Sequence, residues 1–568
     1  MANEPRKILL VTSEAVPFAK TGGLADVAGA LPQALGARGL DCRVILPKYK
    51  DIKPELKATI AHKMHFYINL GWRQQYVGVE QASYGGVIYY FIDNEYYFGR
   101  DGIYGMGVEE GERYAFFCRA VLEALPHLDF FPDVLHCNDW QSGMIPVLLK
   151  TQYQGNPAYR EIATVFTVHN LQYQGIFPWG MMADLLALDP SLNRSDCLEF
   201  YGSASFMKGG LVFADRINTV SPSYAGEIQY PYEGERLDGL LRARQNALSG
   251  ILNGIDTKEY DPAADPMIAA PFTGEDLSGK AACKAALQRE LGLKEDPSAP
   301  VIALISRLTG QKGLDLIECV FDEIMGEHLQ FVVLGMGEER YSNMFTWASW
   351  RYPGKMAFRN EMNLSLAHRI YAGADLFLMP SLFEPCGLSQ MISLRYGALP
   401  IARETGGLRD TVFSYNEIDG SGNGFTFSNY NAHDMLYPIR RALFFYREHP
   451  EIWRKLQTRA MAGDYSWSRS AADYEALYET ALADCRQPAP KAAPAAPGAS
   501  ASAAPQAAPA APSQPAPVAP AAPSQPEAPK KAPAKRAPRK KPAPKKPEDG
   551  AAKPKRAPRK KPAPKGEA

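Results

Sequence analysis

Pro380-Ser-Leu-Phe-Glu-Pro-Cys-Gly-Leu-Ser389 is the stretch on which the fold turns. It follows the apolar run Ala374-Asp-Leu-Phe-Leu-Met379, which reads as a buried strand, and it leads into a helix over 388–396. A strand followed at once by a helix is the unit of a parallel α/β sheet. Glu384 therefore sits in a strand-to-helix turn, ahead of a helix N-terminus. The first N–H groups of a helix lack intrahelical partners and carry the positive end of its dipole, so they bind anions. A carboxylate beside such a cradle can hold hydroxyls next to a bound phosphate, which describes a sugar nucleotide. The competing reading is that Glu384 merely caps the helix.

The same alternation recurs outward from this stretch. Apolar runs at Lys7–Val11, Arg43–Leu46, Val87–Ile92, Val134–His136 and Thr164–Val168 form one set. Those at Pro300–Ser306, Gln330–Leu334, Ala374–Met379 and Leu399–Ala402 form another. Continuous apolar strands followed by helices indicate parallel sheets covered on both faces. Two sets predict two Rossmann-like domains, 1–255 and 256–486, with the break near Leu252-Asn-Gly-Ile-Asp256. Ligands of such sheets bind outside the carboxyl ends of the strands.

Composition divides the chain differently. Of 568 residues, 46% are apolar, enough for more than one core, and 62 basic residues balance 62 acidic ones. From Gln487 to Ala568 there are 17 Lys/Arg and 4 Asp/Glu, which leaves 45 and 58 for the remainder. An acidic body thus carries a basic tail. That tail is rich in Ala, Pro and Lys, and Lys535–Lys545 recurs identically as Lys555–Lys565. Such a segment cannot build a core and reads as disordered. Its basic blocks suit a polyanion or the acidic body; the plain alternative is a solvated extension. The eight cysteines show no metal-ligand spacing and suggest a reduced, cytoplasmic protein. Ile8–Thr12 is too short for a signal-peptide core, and no run approaches membrane-spanning length.

Several post-strand segments carry candidate chemistry. The first strand ends in Lys20-Thr-Gly-Gly-Leu-Ala-Asp26, where Gly22-Gly23 opens a helix and Lys20 stands at its mouth. This suits a diphosphate or a cluster of sugar hydroxyls, or is a plain glycine turn. Arg307 and Lys312 share one post-strand loop and can clamp a pyrophosphate, or are ordinary solvated cations. His169-Asn170 and Asp139 follow strands at the places where sheet ligands sit. No second ligand lies at metal spacing from them. Tyr89-Tyr-Phe91, Tyr96-Tyr-Phe98 and Tyr104 are aromatics that stack on sugar rings or simply fill a core.

Lys20–Val27, Ser306–Gly313, Pro380–Ser389 and Glu404-Thr-Gly-Gly-Leu408 resemble, in order, the hallmark motifs of bacterial glycogen synthases and plant starch synthases. Asp139-Trp140, Thr167-Val-His-Asn170 and Leu252–Asp256 support the resemblance, which covers about residues 6–485. It implies a GT-B fold and retaining transfer of glucose from ADP-glucose to the non-reducing end of an α-1,4-glucan such as glycogen, without metal or cofactor. By the same resemblance Arg307 and Lys312 stabilise the diphosphate, Glu384 fixes the glucose hydroxyls, and His169 lies near the reacting carbon. Backbone N–H groups of Cys386, Gly387, Leu388 and Ser389 hold sugar and phosphate. Lys20, Gly22 and Gly23 contact the diphosphate from the other domain. Thr405, Gly406 and Gly407 line the sugar-phosphate site, and Asp26, Asp139, Asn170 and Asn253 contribute further contacts. The last helical stretch, about 450–482, is expected to cross back to the first domain.

Two positions depart from the wider pattern. Ile392 stands where many GT-B relatives carry a second Glu; the starch and glycogen branch commonly lacks that Glu too, which favours the narrower resemblance. Met362 stands where the family usually has an aromatic against the base, a place its polarizable sulfur can also fill. The alternatives are a GT-B transferase using UDP-glucose or another acceptor, and a non-catalytic glucan-binding scaffold localised by its tail.

Overall fold

The computed structural model describes residues 4–486. The reading of 487–568 lies outside the described residues. Two sheets organise the rest. The first has nine strands, in the order Leu248–Gly250, Arg216–Thr219, Ala163–Val168, Val134–Asn138, Lys7–Val11, Asp41–Pro47, Val87–Asp93, Arg73–Tyr84, Ala61–Leu70. All neighbours are parallel except the last three strands, which pair antiparallel. The second sheet has six parallel strands, ordered Met356–Arg359, Gln330–Leu334, Val301–Ile305, Leu376–Met379, Leu399–Arg403, Phe425–Phe427.

The strands expected from apolar runs are all present. Val134–Asn138, Ala163–Val168 and Gln330–Leu334 are buried at every position, as strands covered on both faces must be. The hairpin Ala61–Tyr84 was not expected. Its strand Ala61–Leu70 is largely exposed, with polar residues interleaved, because an antiparallel edge needs no apolar run. The short strands Arg216–Thr219, Leu248–Gly250, Met356–Arg359 and Phe425–Phe427 also escape notice, being too short to form a pattern.

Chain order reverses at one point in the parallel part of each sheet. In the first, Lys7–Val11 lies between Asp41–Pro47 and Val134–Asn138. In the second, Val301–Ile305 lies between Gln330–Leu334 and Leu376–Met379. Loops leaving such a switch point diverge and open a crevice for ligand. The four loops concerned hold Lys20, Asp139, Arg307–Lys312 and Glu384.

The aromatic runs resolve mostly as core. Tyr89, Tyr90 and Phe91 are fully buried in their strand, and Tyr97 and Phe98 are buried beside it. Tyr104 alone turns to the site. The expected final helical stretch is two helices, Pro450–Met461 and Trp467–Arg486. The second packs Trp467, Ala471, Tyr474 and Tyr478 into the core of the first sheet. Asn218 Nδ2 donates to the Tyr474 hydroxyl at 3.2 Å, and His136 Nδ1 lies 2.9 Å from the Tyr478 hydroxyl. Among the described residues no helix is long and apolar enough to cross a membrane.

Candidate active site

Glu384 is buried in the turn between the strand Leu376–Met379 and the helix Ser389–Arg395. Lys312 Nζ donates to its Oε2 at 2.6 Å, and Ser381 Oγ donates to the same oxygen at 3.0 Å. Glu384 is therefore no helix cap: its carboxylate reaches sideways to the neighbouring strand's loop. The short turn Gly310–Lys312 presents Lys312, and it needs Gly313 at φ +68° to do so. A Cβ there would lie 2.0 Å from the Pro380 carbonyl oxygen, so the two loops interlock through a glycine. Arg307 is exposed, and its guanidinium has no hydrogen-bond or ion-pair partner among the described residues. Its full charge faces solvent at the mouth of the site.

The N–H groups of Cys386, Gly387, Leu388 and Ser389 likewise have no acceptor among the described residues, although all four sit in or beside the turn. Gly387 adopts φ +72°, which curls this segment. The turn Thr405–Gly407 is different. Its N–H groups are used within the chain: Thr405 donates to Arg403, Gly406 to Glu227, and Gly407 to Glu384 and Pro385. It borders the site without offering free donors. Asn253 is buried, its Oδ1 without a partner among the described residues, beside the Cys386 thiol.

The other half of the site comes from the first sheet. Lys20 Nζ pairs with Asp26 Oδ1 at 2.6 Å. Burial pushes the Asp26 carboxyl up, and Lys20 offsets part of that. Gly23 opens the helix Gly23–Ala37, and a Cβ there would lie 3.8 Å from Leu388 Cδ1. The glycine turn thus faces the cradle of the second sheet. Asp139 adopts φ 55°, a costly conformation for a side-chain-bearing residue and one that clusters at functional sites. Its Oδ1 accepts the N–H of His169 at 2.7 Å and of Asn170 at 3.4 Å. Burial pushes the Asp139 carboxyl up to about 7 in spite of those donors. His169 Nε2 meets Asn138 Oδ1 at 2.9 Å, and burial lowers the imidazole to about 3. It is neutral, with Nε2 the donor and Nδ1 the free acceptor.

Three contributors are not among the residues singled out from the sequence: Glu14, Asn138 and Ser381. Glu14 is buried three residues past the first strand, and it accepts from the Thr21 and Gly22 N–H groups, the Thr21 hydroxyl and Tyr104. It shapes the glycine turn from behind. Asn138 orients His169, and Ser381 orients Glu384. An acid placed just after a buried strand is the one signal that could have marked Glu14. Met362 is 87% exposed on the loop before the helix Leu364–Gly373.

Two sheets with switch points facing one another, and a cleft lined by cations and free N–H groups, define a glycosyltransferase of the GT-B fold. A family model described as the starch synthase catalytic domain matches residues 7–243, and one described as glycosyl transferases group 1 matches residues 287–455. The glycogen synthase of Geobacillus thermodenitrificans is 58% identical over 473 residues, which is 83% of this chain and 97% of that protein. That of Anoxybacillus flavithermus is 54% identical over 477 residues, 84% of this chain and 98% of its own. The chain belongs to the glycogen synthase and starch synthase family. The catalytic domain of starch synthase IV from Arabidopsis thaliana, bound to ADP and acarbose, superposes with a TM-score of 0.79 at 32% identity, covering 84% of this chain and all of that one. A sucrose-phosphate synthase from Thermosynechococcus elongatus, at 17% identity and a TM-score of 0.52, shares the fold.

Proposed function

We propose that this protein transfers glucose from ADP-glucose to the non-reducing end of an α-1,4-glucan, with retention at the anomeric carbon. One observation carries the reading: a buried carboxylate, Glu384, is clamped by Lys312 immediately before four N–H groups left without acceptors. That arrangement suits a hexose whose hydroxyls meet the carboxylate while its phosphate meets the N–H groups. The ADP bound to the Arabidopsis relative agrees with an adenine nucleotide as leaving group.

As the bond from the anomeric carbon to the phosphate oxygen breaks, negative charge grows on the diphosphate. Arg307 and Lys312 supply preorganised positive charge there, which is stabilisation at the point where charge develops. Glu384 fixes the glucose and does not take a proton. Lys20, with Gly22 and Gly23, closes on the diphosphate from the other side. His169, neutral and held by Asn138, offers its free nitrogen to a sugar hydroxyl near the reacting carbon. Asp26, Asp139, Asn170 and Asn253 complete the polar wall, and Thr405–Gly407 back it. The half-sites belong to domains 1–255 and 256–486. Closing them together excludes the water that would hydrolyse the donor.

The test is a donor comparison. Purified protein with glycogen primer should release ADP and extend the glucan from ADP-glucose, with UDP-glucose the poorer donor. Transfer from neither nucleotide sugar would overturn the reading. Preference for UDP-glucose would overturn the donor assignment alone.

A further inference from the structure

The short helix Pro222–Glu227 stands between the two halves of the site. Ser221 Oγ caps it by accepting the Tyr224 N–H at 2.8 Å. On one side the Tyr224 hydroxyl accepts the N–H of Leu171 at 3.3 Å, two residues past His169. On the other side both oxygens of Glu227 accept the Gly406 N–H, at 2.9 and 3.0 Å, and Thr405 Oγ1 donates to Oε2 at 3.3 Å. Ser223 adds a second tie, its N–H and Oγ donating to Asp410 at 3.0 and 2.6 Å. One helix of the first half is thereby bound to the turn that follows the strand Leu399–Arg403 of the second.

The connection continues to Glu384. The Gly407 N–H donates to the carbonyls of Glu384 and Pro385 at 3.1 and 3.2 Å. A Cβ on Gly406 would lie 2.1 Å from the Glu384 carbonyl oxygen, and one on Gly407 would lie 2.1 Å from that of Cys386. The turn Thr405–Gly407 is therefore in backbone contact with the segment that presents the Glu384 carboxylate and the cradle. It cannot shift without moving them. Glu227 is half-buried and its carboxylate is occupied by Gly406 and Thr405, so it acts on the site through these groups.

We propose that Glu227 is a positioning residue that registers the two half-sites, holding the Glu384 segment in place against the His169 loop in the closed cleft. The proposal rests on the functional reading above, in which Glu384 holds the glucose. A charged acceptor on a backbone N–H is stronger than a neutral one, and it reaches across the interface without needing a salt bridge that water would screen.

Glu227→Ala, Glu227→Gln and the parent are compared in transfer from ADP-glucose to glycogen, in ADP affinity by calorimetry, and in amide exchange over residues 405–408. Misplacement of a reacting group by about 1 Å costs on the order of 100-fold, so kcat of Glu227→Ala should fall about 10- to 100-fold. ADP affinity should stay within about threefold, because Arg307 and Lys312 stand on a separate loop and the cradle keeps its N–H groups, whereas turnover depends on their exact placement. Glu227→Gln keeps an acceptor oxygen and should recover most of the loss. Exchange at Gly407, which bonds to Glu384 and not to Glu227, should quicken in Glu227→Ala. A kcat within twofold of the parent, or equal losses in kcat and ADP affinity, would overturn the proposal. If the parent itself fails to transfer glucose, the functional reading fails; unchanged exchange at Gly407 then overturns the registering role, and quickened exchange supports it.

Discussion

Glu384 and Lys312 form a nearly buried ion pair, with side chains 9% and 16% exposed. Removing either leaves the other charge poorly compensated, which costs about 3–5 kcal/mol where the pair is fully dry and less at this residual exposure. Glu384→Ala and Lys312→Ala should each lower kcat by at least about 100-fold, the scale for losing one preorganised electrostatic group. Glycogen affinity should persist in both. Retained turnover in either, measured alongside thermal unfolding, would refute the assigned roles. Titration supplies a second prediction. His136 is fully buried between Thr167 and Tyr478, and burial lowers it to about 3 from 6.5. The unfolded chain binds this proton more tightly, so its contribution is intact above pH 6.5 and lost as pH falls towards 3, at about 1.4 kcal/mol per unit. Asp139 runs the other way. With its carboxyl raised to about 7 from 3.8, the folded chain binds the proton more tightly, so stability falls as pH rises from about 4 to 7. Unfolding free energies against pH for the parent and Asp139→Asn separate the two: between about pH 4 and 6.5 the terms oppose, so the variant should lose stability more steeply than the parent as pH falls through that window. At this scale Arg307, Lys312, Glu384, Lys20 and His169 could be proposed because each lies in a post-strand loop that also carries a recognisable motif. Glu14 follows a strand but lies in no such motif, and the roles of Asn138 and Glu227 depend on which loop faces them.

The last helix, Trp467–Arg486, is the element whose place no local pattern dictates. Its apolar positions mark a buried face but do not say against which sheet. The structure lays it on the first, where Tyr478 and Tyr474 complete hydrogen bonds of the buried His136 and Asn218. Tyr478→Phe would leave His136 Nδ1 unpaired in the core. Denaturant unfolding should show a loss of about 1–3 kcal/mol, the cost of an unsatisfied buried polar atom. A neutral result would mean that the hydroxyl is not what secures the helix. The hairpin Ala61–Tyr84 makes the complementary point: half-exposed strands carry no continuous apolar run and so no signal at the period sought.

At the scale of the molecule, the polar ties between the two half-sites among the described residues are chiefly Glu227 to Thr405–Gly406 and Ser223 to Asp410. Everything assigned to the chemistry lies within residues 14–410. A chain ending at Arg486 should therefore keep its transfer rate within about twofold, because every group assigned to the chemistry remains. A loss beyond tenfold would show that the basic segment 487–568 takes part in turnover. Binding of a polyanion by the full chain, if it occurs, should weaken steeply with salt, as charge contacts require. The sequence by itself determined the class of fold and the stretch Pro380–Ser389 as its centre, because buried parallel strands and strand-to-helix turns are local patterns with few solutions. It left Glu384 open between a helix cap and a substrate ligand. Only the tertiary structure decided that its carboxylate turns to Lys312 and Ser381, and that Glu227 reaches across to the turn behind it. Those contacts join residues 72 and 179 positions apart, and no local spacing encodes which loops two folded sheets will bring face to face.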